Sequence, residues 1–440
     1  MPANPLQRIA YVSLVLAGQW ILGAVFMISG FVKAADPLGM EHKLEAYFRA
    51  MGIDLSSIDI PLLAGTATLD IIVVAMALVE FLIGMYYALG MHQRTTTIFG
   101  SLLMTFMTLL TVWIYLYDPV SDCGCFGDAF VLTNGQTLTK NIVLLAVAIL
   151  LMVYRRLMVR CVSRRNEWFA TTTSFLYILL LSLYGMRHLP VVDFTGYGVG
   201  TDLRSALYGE YRTRYVYERD GETRTFYDGE TLPDSTWSML SAESEEITPP
   251  KIQDFSITDA EGTDIGAEIL DDEGYTFLLT LPEFTTADAG CSDILNDVCD
   301  FANDHSITML CATSLSEDEQ CLWSDRTGAA YPFAIAGSET LKAMVRSNPG
   351  LLLIHDGRII NKWGHHNMPD GEMLTMPQLD AMSRSSEAVS TRKIYLILTG
   401  LYIGILLFVV LIDRLWAGNR YYQRIRRARL WLSQSGNAPA

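Results

Sequence analysis

Cys123-Gly124-Cys125 is the tightest grouping of reactive side chains in this 440-residue chain. Two cysteines with one residue between them can approach within the roughly 4.4–6.8 Å Cα separation of a disulfide. Glycine between them supplies the tight backbone that so small a ring requires. A strained disulfide is more oxidising than a structural one, so the pair suits thiol–disulfide exchange. Two other readings stay open. One is a structural disulfide or a tight turn with inert thiols. The other is a metal site, which would need further ligands, and no histidine lies in this loop. Asp122 and Asp128 flank the pair and disfavour a thiolate, which Lys140 would offset if it folded back.

Two carboxylates lie in one apolar segment. Glu80 falls near its middle, where an ionisable residue is costly and is functional by default. It is a candidate for proton handling or for contact with a quinone-like electron acceptor. A protonated glutamic acid hydrogen-bonded between helices is the equal alternative. Asp70, ten residues earlier, is a second proton-handling candidate, close to three helical turns away.

The remaining thiols and imidazoles point to less. Cys291, Cys299, Cys311 and Cys321 have no pairing that spacing can settle, and Cys161 falls in a different loop. Cys291 and Cys299 are eight apart on one expected helix, about 12 Å, too far to pair. Buried free thiols are the common alternative. His305 stands alone and His365-His366 reads as a surface loop, so no metal site is expected.

The elements that carry these residues follow from hydropathy and charge. Half of the chain is apolar and its mean hydropathy is +0.25, high for a soluble protein. Six segments suit membrane helices, near 10–32, 65–90, 96–117, 139–154, 168–186 and 393–412, the fourth being the shortest. The first reads as an uncleaved anchor, because it is longer than a signal-peptide core and no clear small-x-small cleavage site ends it. The formal charge of −16 is unevenly spread. Residues 191–390 hold about 36 acidic and about 12 basic side chains, leaving the remainder at roughly +8. Arg94, the arginine-rich loop from Arg155 to Arg165 and the tail from Arg414 to Arg429 fall on one face if both termini are cytoplasmic. The loop 118–138, which lacks Lys and Arg, is then external with residues 187–392. A bacterial inner (cytoplasmic) membrane, with the acidic block periplasmic, fits this pattern. No clustered basic face supports nucleic-acid binding. Membrane lipid is the one partner that the hydropathy implies.

Pro37 to Gly52 reads either as an amphipathic helix on the membrane, with Glu41, Lys43 and Arg49 facing water, or as a capping loop over the bundle. Residues 1–160 then form a four-helix membrane domain, 161–190 a fifth span, and 191–250 a connector. The connector holds a hairpin of strands 214–218 and 223–227 around Asp220-Gly221. From 251 to 390 short apolar strands alternate with helices and end in a hairpin around Asp356-Gly357 and a helix over 376–382. That order predicts an α/β sheet with helices on both faces. Residues 391–440 add the sixth span and a basic tail.

Two resemblances rest on particular residues. Gly30-Phe31-Val32-Lys33 with Asp36-Pro37, Glu80 with Gly84, and Cys123-Gly-Cys-Phe-Gly127 resemble the DoxX and MauE group of four-helix membrane proteins over about residues 10–154. MauE-like proteins are associated with maturation of disulfide-rich methylamine-utilisation enzymes, so the resemblance implies redox work on envelope thiols. Residues 251–385 resemble the thioredoxin fold. Asn348-Pro349 before Gly350–Ile354 matches the place of its cis-proline, and Cys291 stands alone where that fold carries Cys-x-x-Cys. The resemblance therefore implies a docking domain without the catalytic pair. Two functions follow as expectations. One is an envelope thiol–disulfide system that exchanges with a partner protein through Cys123 and Cys125. The other is a non-catalytic binding or assembly module anchored by the bundle. A transporter fits less well, since four plus one plus one spans show no repeat symmetry.

Overall fold

The apolar segments form helices, and several of their buried polar side chains pair with one another. The protein is described here by a computed structural model, which describes residues 5–52, 68–120, 124–130, 132–190, 192–219, 221–231, 236–252, 254–384 and 389–435. Among them six helices are long and apolar enough to cross a membrane. The chain divides into two units, 1–192 with 391–440, and 193–390.

The first unit contains α1 (Pro5–Ala35), α2 (Pro37–Ala50), α3 (Thr68–Leu89), α4 (Gln93–Tyr117), α5 (Asn134–Val153), α6 (Glu167–Arg187) and a C-terminal helix, Val389–Ser435. Small residues bring α1 and α3 together. A Cβ on Gly30 would lie 2.6 Å from Phe81 N, and one on Gly84 would lie 2.5 Å from Met27 N. Backbones approach this closely in apolar surroundings only where side chains are absent. The short fourth span begins earlier than hydropathy suggested. Thr133 caps α5, its hydroxyl accepting from Gln136 N while Gln136 returns a bond to the Thr133 amide, a capping box. The polar first turns are accommodated because Asn141 donates to Thr111 Oγ1 of α4 at 3.3 Å.

The fifth and sixth spans are bound into this unit. Ile178 and Leu181 of α6 pack with Ala34, Ala77 and Phe81. Tyr402 of the C-terminal helix stacks on Tyr177 with ring centroids 4.2 Å apart and shares a hydrogen bond with Ser174. Asp413 on the same helix accepts from Ser163 N, Ser163 Oγ and Asn166 Nδ2. A buried carboxylate is tolerated because those donors meet it.

The second unit opens with α7 (Leu203–Tyr208), then β1 (Glu210–Arg219), β2 (Glu222–Tyr227) and β3 (Ser238–Thr248). These strands form an antiparallel sheet ordered β2-β1-β3. The expected hairpin is present; its turn residue Asp220 lies outside the described residues. The third strand was not expected, because its Ser/Glu-rich sequence lacks an apolar alternation; nine of its eleven residues pair with β1, and the strand stays mostly exposed.

The larger sheet is built from β4 (Ile257–Thr258), α8 (Gly266–Asp271), β5 (Tyr275–Leu281), α9 (Ser292–Asp304), β6 (Thr308–Thr313), α10 (Glu317–Thr327), β7 (Phe333–Ala336), α11 (Ser338–Met344), β8 (Gly350–His355), β9 (Arg358–Gly364) and α12 (Met376–Arg384). Its order is β4-β7-β6-β5-β8-β9. β5 runs parallel to β6 and antiparallel to β8. A parallel β5-α9-β6 unit, an antiparallel β8-β9 hairpin and a cis Asn348-Pro349 bond leading into β8 make this a thioredoxin-like domain, as expected. β5 is buried on both faces, which is why it reads as an unbroken apolar run. Phe277, Leu279 and Leu281 pack with Leu295, Val298 and Ala302 of α9, and Leu278 is buried as fully beside them in sequence. Each such side chain contributes about 1.5–3 kcal/mol.

Candidate functional site

Gly124 and Gly127 fold the cysteine loop. Both adopt the left-handed conformation, with φ of +61° and +53°, which glycine enters without steric cost. A Cβ on Gly124 would also lie 2.8 Å from Lys43 Cδ. The Gly127 amide bonds back to the Gly124 carbonyl at 3.0 Å. Cys123 and Asp122 lie outside the described residues.

Beneath the loop is a buried polar cluster. Lys33 and Ser29 are one turn apart on α1, so they share a face. The Lys33 ammonium has three protons and meets three acceptors: Glu80 Oε2 at 2.7 Å, Ser29 Oγ at 2.8 Å and the Cys125 carbonyl at 2.8 Å. The single Ser29 hydroxyl proton is within reach of Glu80 Oε2 at 2.7 Å and of the Cys125 carbonyl at 2.6 Å. Lys33 is 1% exposed and Glu80 4%. A charge pair so buried persists only when its remaining bonding capacity is filled, and here the loop backbone fills part of it. The close α1–α3 contact at Gly30 and Gly84 sets Lys33 opposite Glu80.

Two more lysines meet the loop. Lys43 of α2 donates to the Gly127 carbonyl at 3.1 Å and pairs with Asp128 at 2.9 Å. Pro37, Gly39, Met40 and Tyr47 of α2 are buried, so this segment is a helix that covers the loop, and Lys43 binds protein where water was one expectation. Lys140 of α5 does fold back. Its Nζ lies 4.3 Å from the centroid of the Phe126 ring, and the residue borders an open cleft with Gly124, Cys125, Phe126 and Phe130. Among the described residues no carboxylate pairs with Lys140.

The expected site residues separate. Glu80 joins the loop, opposite Lys33 and two residues from the end of α1, although it falls deep within α3. The two helices end at different levels, which position along one segment cannot reveal. Asp70 stays in the first turn of α3, about 15 Å along the axis from Glu80, and is not part of the cluster. Ser29 was missed. Its signal was the four-residue spacing to Lys33 on an otherwise apolar helix.

In the thioredoxin-like domain the loop after β5 keeps its docking to the cis-proline segment. The Asp288 amide donates to Asn348 O at 3.1 Å, and Asn348 Nδ2 donates to Glu283 O and Thr286 Oγ1. Cys291 ends the turn before α9, buried, its thiol directed at Asp288 O. Burial, with Asp288 nearby, pushes that thiol up to about 11, so it stays protonated and unreactive at neutral pH. Cys291, Cys299, Cys311 and Cys321 are free thiols. His365 lies beside the same loop, held below the usual imidazole value by burial and by His366, with Asp288 opposing.

Residues 11–154 match the family model described as methylamine utilisation protein MauE. No curated protein matches the chain. Among solved structures it is similar to a candidate thioredoxin from Neisseria meningitidis, at 17% identity over 30% of this chain and 90% of that one, with a TM-score of 0.24. It is also similar to a candidate protein disulfide isomerase from Bacteroides thetaiotaomicron, at 15% identity over 31% and 91%, with a TM-score of 0.25. A third is the bacterioferritin comigratory protein of Xanthomonas campestris, at 13% identity over 30% and 92%, with a TM-score of 0.22.

Proposed function

We propose that the protein is a multi-pass membrane thiol–disulfide exchange protein. Cys123 and Cys125 are its exchanging pair, and the thioredoxin-like domain docks a partner protein. In this reading the loop and residues 187–392 lie on the non-cytoplasmic face of a bacterial inner membrane, where disulfides persist. The observation that carries the reading is the anchoring of the Cys125 carbonyl by Lys33 and Ser29 above Glu80. A loop fixed at its backbone presents its sulfurs in one place. The match of residues 11–154 to the MauE model supports the same assignment. Lys140 and Cys125 line the same cleft, and a cation near a thiol favours the thiolate that exchange requires.

The exchange balances simply. A partner thiolate attacks the Cys123–Cys125 disulfide and forms a mixed disulfide. The partner's second thiol then resolves it. The partner dithiol is oxidised to a disulfide, and the loop is reduced to two thiols that keep the two protons. Reoxidation delivers two electrons and two protons to an acceptor, and a quinone-like molecule in the bilayer accepts both. In this reading Glu80, hydrogen-bonded to Ser29 under the loop, handles those protons, and Asp70, in the first turn of α3, is the second candidate.

Trapping tests the proposal. With Cys125→Ser, Cys123 should accumulate reductant-sensitive adducts with an envelope protein, and the double Cys→Ser variant should form none. Absence of adducts, together with unchanged envelope thiol status in the double variant, would leave the chain as an anchored binding module.

A further inference from the structure

His365, His366 and Asp288 form a cluster that the thiol chemistry does not use. His365 Nε2 and His366 Nε2 are 3.1 Å apart, and Asp288 Oδ2 lies 4.0 Å from His365 Nε2. One donor atom from each of the three falls within 4.8 Å of the others. We propose that these residues bind a divalent cation of the zinc class, with a fourth position left to water or to a donor from a docked partner.

The hydrogen bonds around Ser347 prepare His365 for that role. The Ser347 hydroxyl has one proton, which it donates to the Pro349 carbonyl at 2.8 Å. Pro349 is buried, and a carbonyl can only accept. Ser347 Oγ must therefore accept at its remaining contacts. It accepts from His365 N at 2.9 Å and faces His365 Nδ1 at 2.8 Å, a contact that it accepts in the tautomer protonated at Nδ1. That places the lone pair of His365 on Nε2, toward His366 and Asp288. Fixing the tautomer of a ligand by a bond to its other ring nitrogen is how protein metal sites orient histidine.

The spacing also fits. With metal–nitrogen bonds of about 2.0–2.1 Å, two ligands of a tetrahedral site stand about 3.3 Å apart. The imidazole pair is within a few tenths of that, and Asp288 is half-exposed, so its side chain can close the remaining distance. Two imidazoles and one carboxylate suit a borderline first-row cation better than calcium or magnesium. Such an ion would tie the turn after β9 to the loop after β5, across the cis-proline segment.

Zinc titration of the full-length, chelator-treated protein in detergent, against a chromogenic competitor, tests the site. The Cys123→Ser/Cys125→Ser variant serves as the background, so that loop thiols cannot contribute. One equivalent should bind, and His366→Ala, which alters an exposed side chain, should abolish it while the apo protein melts as before. Ser347→Ala should weaken binding about 10–100-fold. No zinc uptake, or uptake unchanged in both His366→Ala and His365→Ala, would overturn the proposal.

Discussion

Lys33 Nζ and Glu80 Oε2 are 2.7 Å apart in the interior of the helical unit, and the same ammonium holds the carbonyl of Cys125. Removing one partner of a buried pair leaves an uncompensated charge and costs about 3–5 kcal/mol. Lys33→Met and Glu80→Leu should each lower the thermal unfolding midpoint in detergent markedly. The double variant should be less destabilised than the sum of the two. Additive losses would mean that the two side chains are not coupled.

The α1–α3 contact positions that pair. Gly84→Leu would drive a side chain into Met27 N and Gly23 O, which a Cβ alone would approach to 2.5 and 2.8 Å. Overpacking of this kind costs about 1–3 kcal/mol or more. Gly404→Leu on the C-terminal helix, where nothing lies within 4 Å, should change stability little. Comparing the two melting curves checks the difference.

Thiol labelling should separate the cysteines of the second unit by burial. Cys291, Cys299 and Cys311 are at most 3% exposed, whereas Cys321 is exposed. In the Cys123→Ser/Cys125→Ser background, Cys321 should react with maleimide at once. The other three should react only as the domain opens. Mass spectrometry of labelled peptides reads this, and rapid labelling of Cys291 would contradict its burial.

Asp193 gives the second unit an acid-sensitive tie. Burial works to raise its carboxyl, but the Lys362 ammonium at 2.6 Å and bonds from Thr195 outweigh that and hold it below the usual carboxylate range. A depressed folded-state value contributes stability that is complete above the unfolded value of about 3.9. It is lost as pH falls through the folded value. Hydrogen exchange in β9 around Lys362 should therefore accelerate as pH drops below about 4, after correction for intrinsic rates. In Asp193→Asn that acid-dependent step should be absent.

Local pattern carried most of the secondary structure. β5 was legible from Tyr275 to Leu281 because a strand buried on both faces is a short apolar run. α10 was legible from a serine able to cap it, Ser314 or Ser316, and from the acids of its first turn; the structure shows Ser316 as the cap, in a capping box with Glu319. β3 was not, because an exposed acidic strand is ordered by pairing with β1 and has no apolar stripe of its own.

The sequence by itself determined six apolar spans, an acidic α/β domain, and the lack of Cys-x-x-Cys before α9. Those properties depend on composition and on neighbours a few residues apart. Tertiary structure alone decided what surrounds the reactive groups. Lys33, Glu80 and Cys125 are separated by dozens of residues, as are Asp288 and His365. Their meeting depends on where glycine lets two helices touch and where one end of the sheet brings two loops together. Hydrogen bonds and ion pairs act over a few ångströms, so no periodicity along the chain records them.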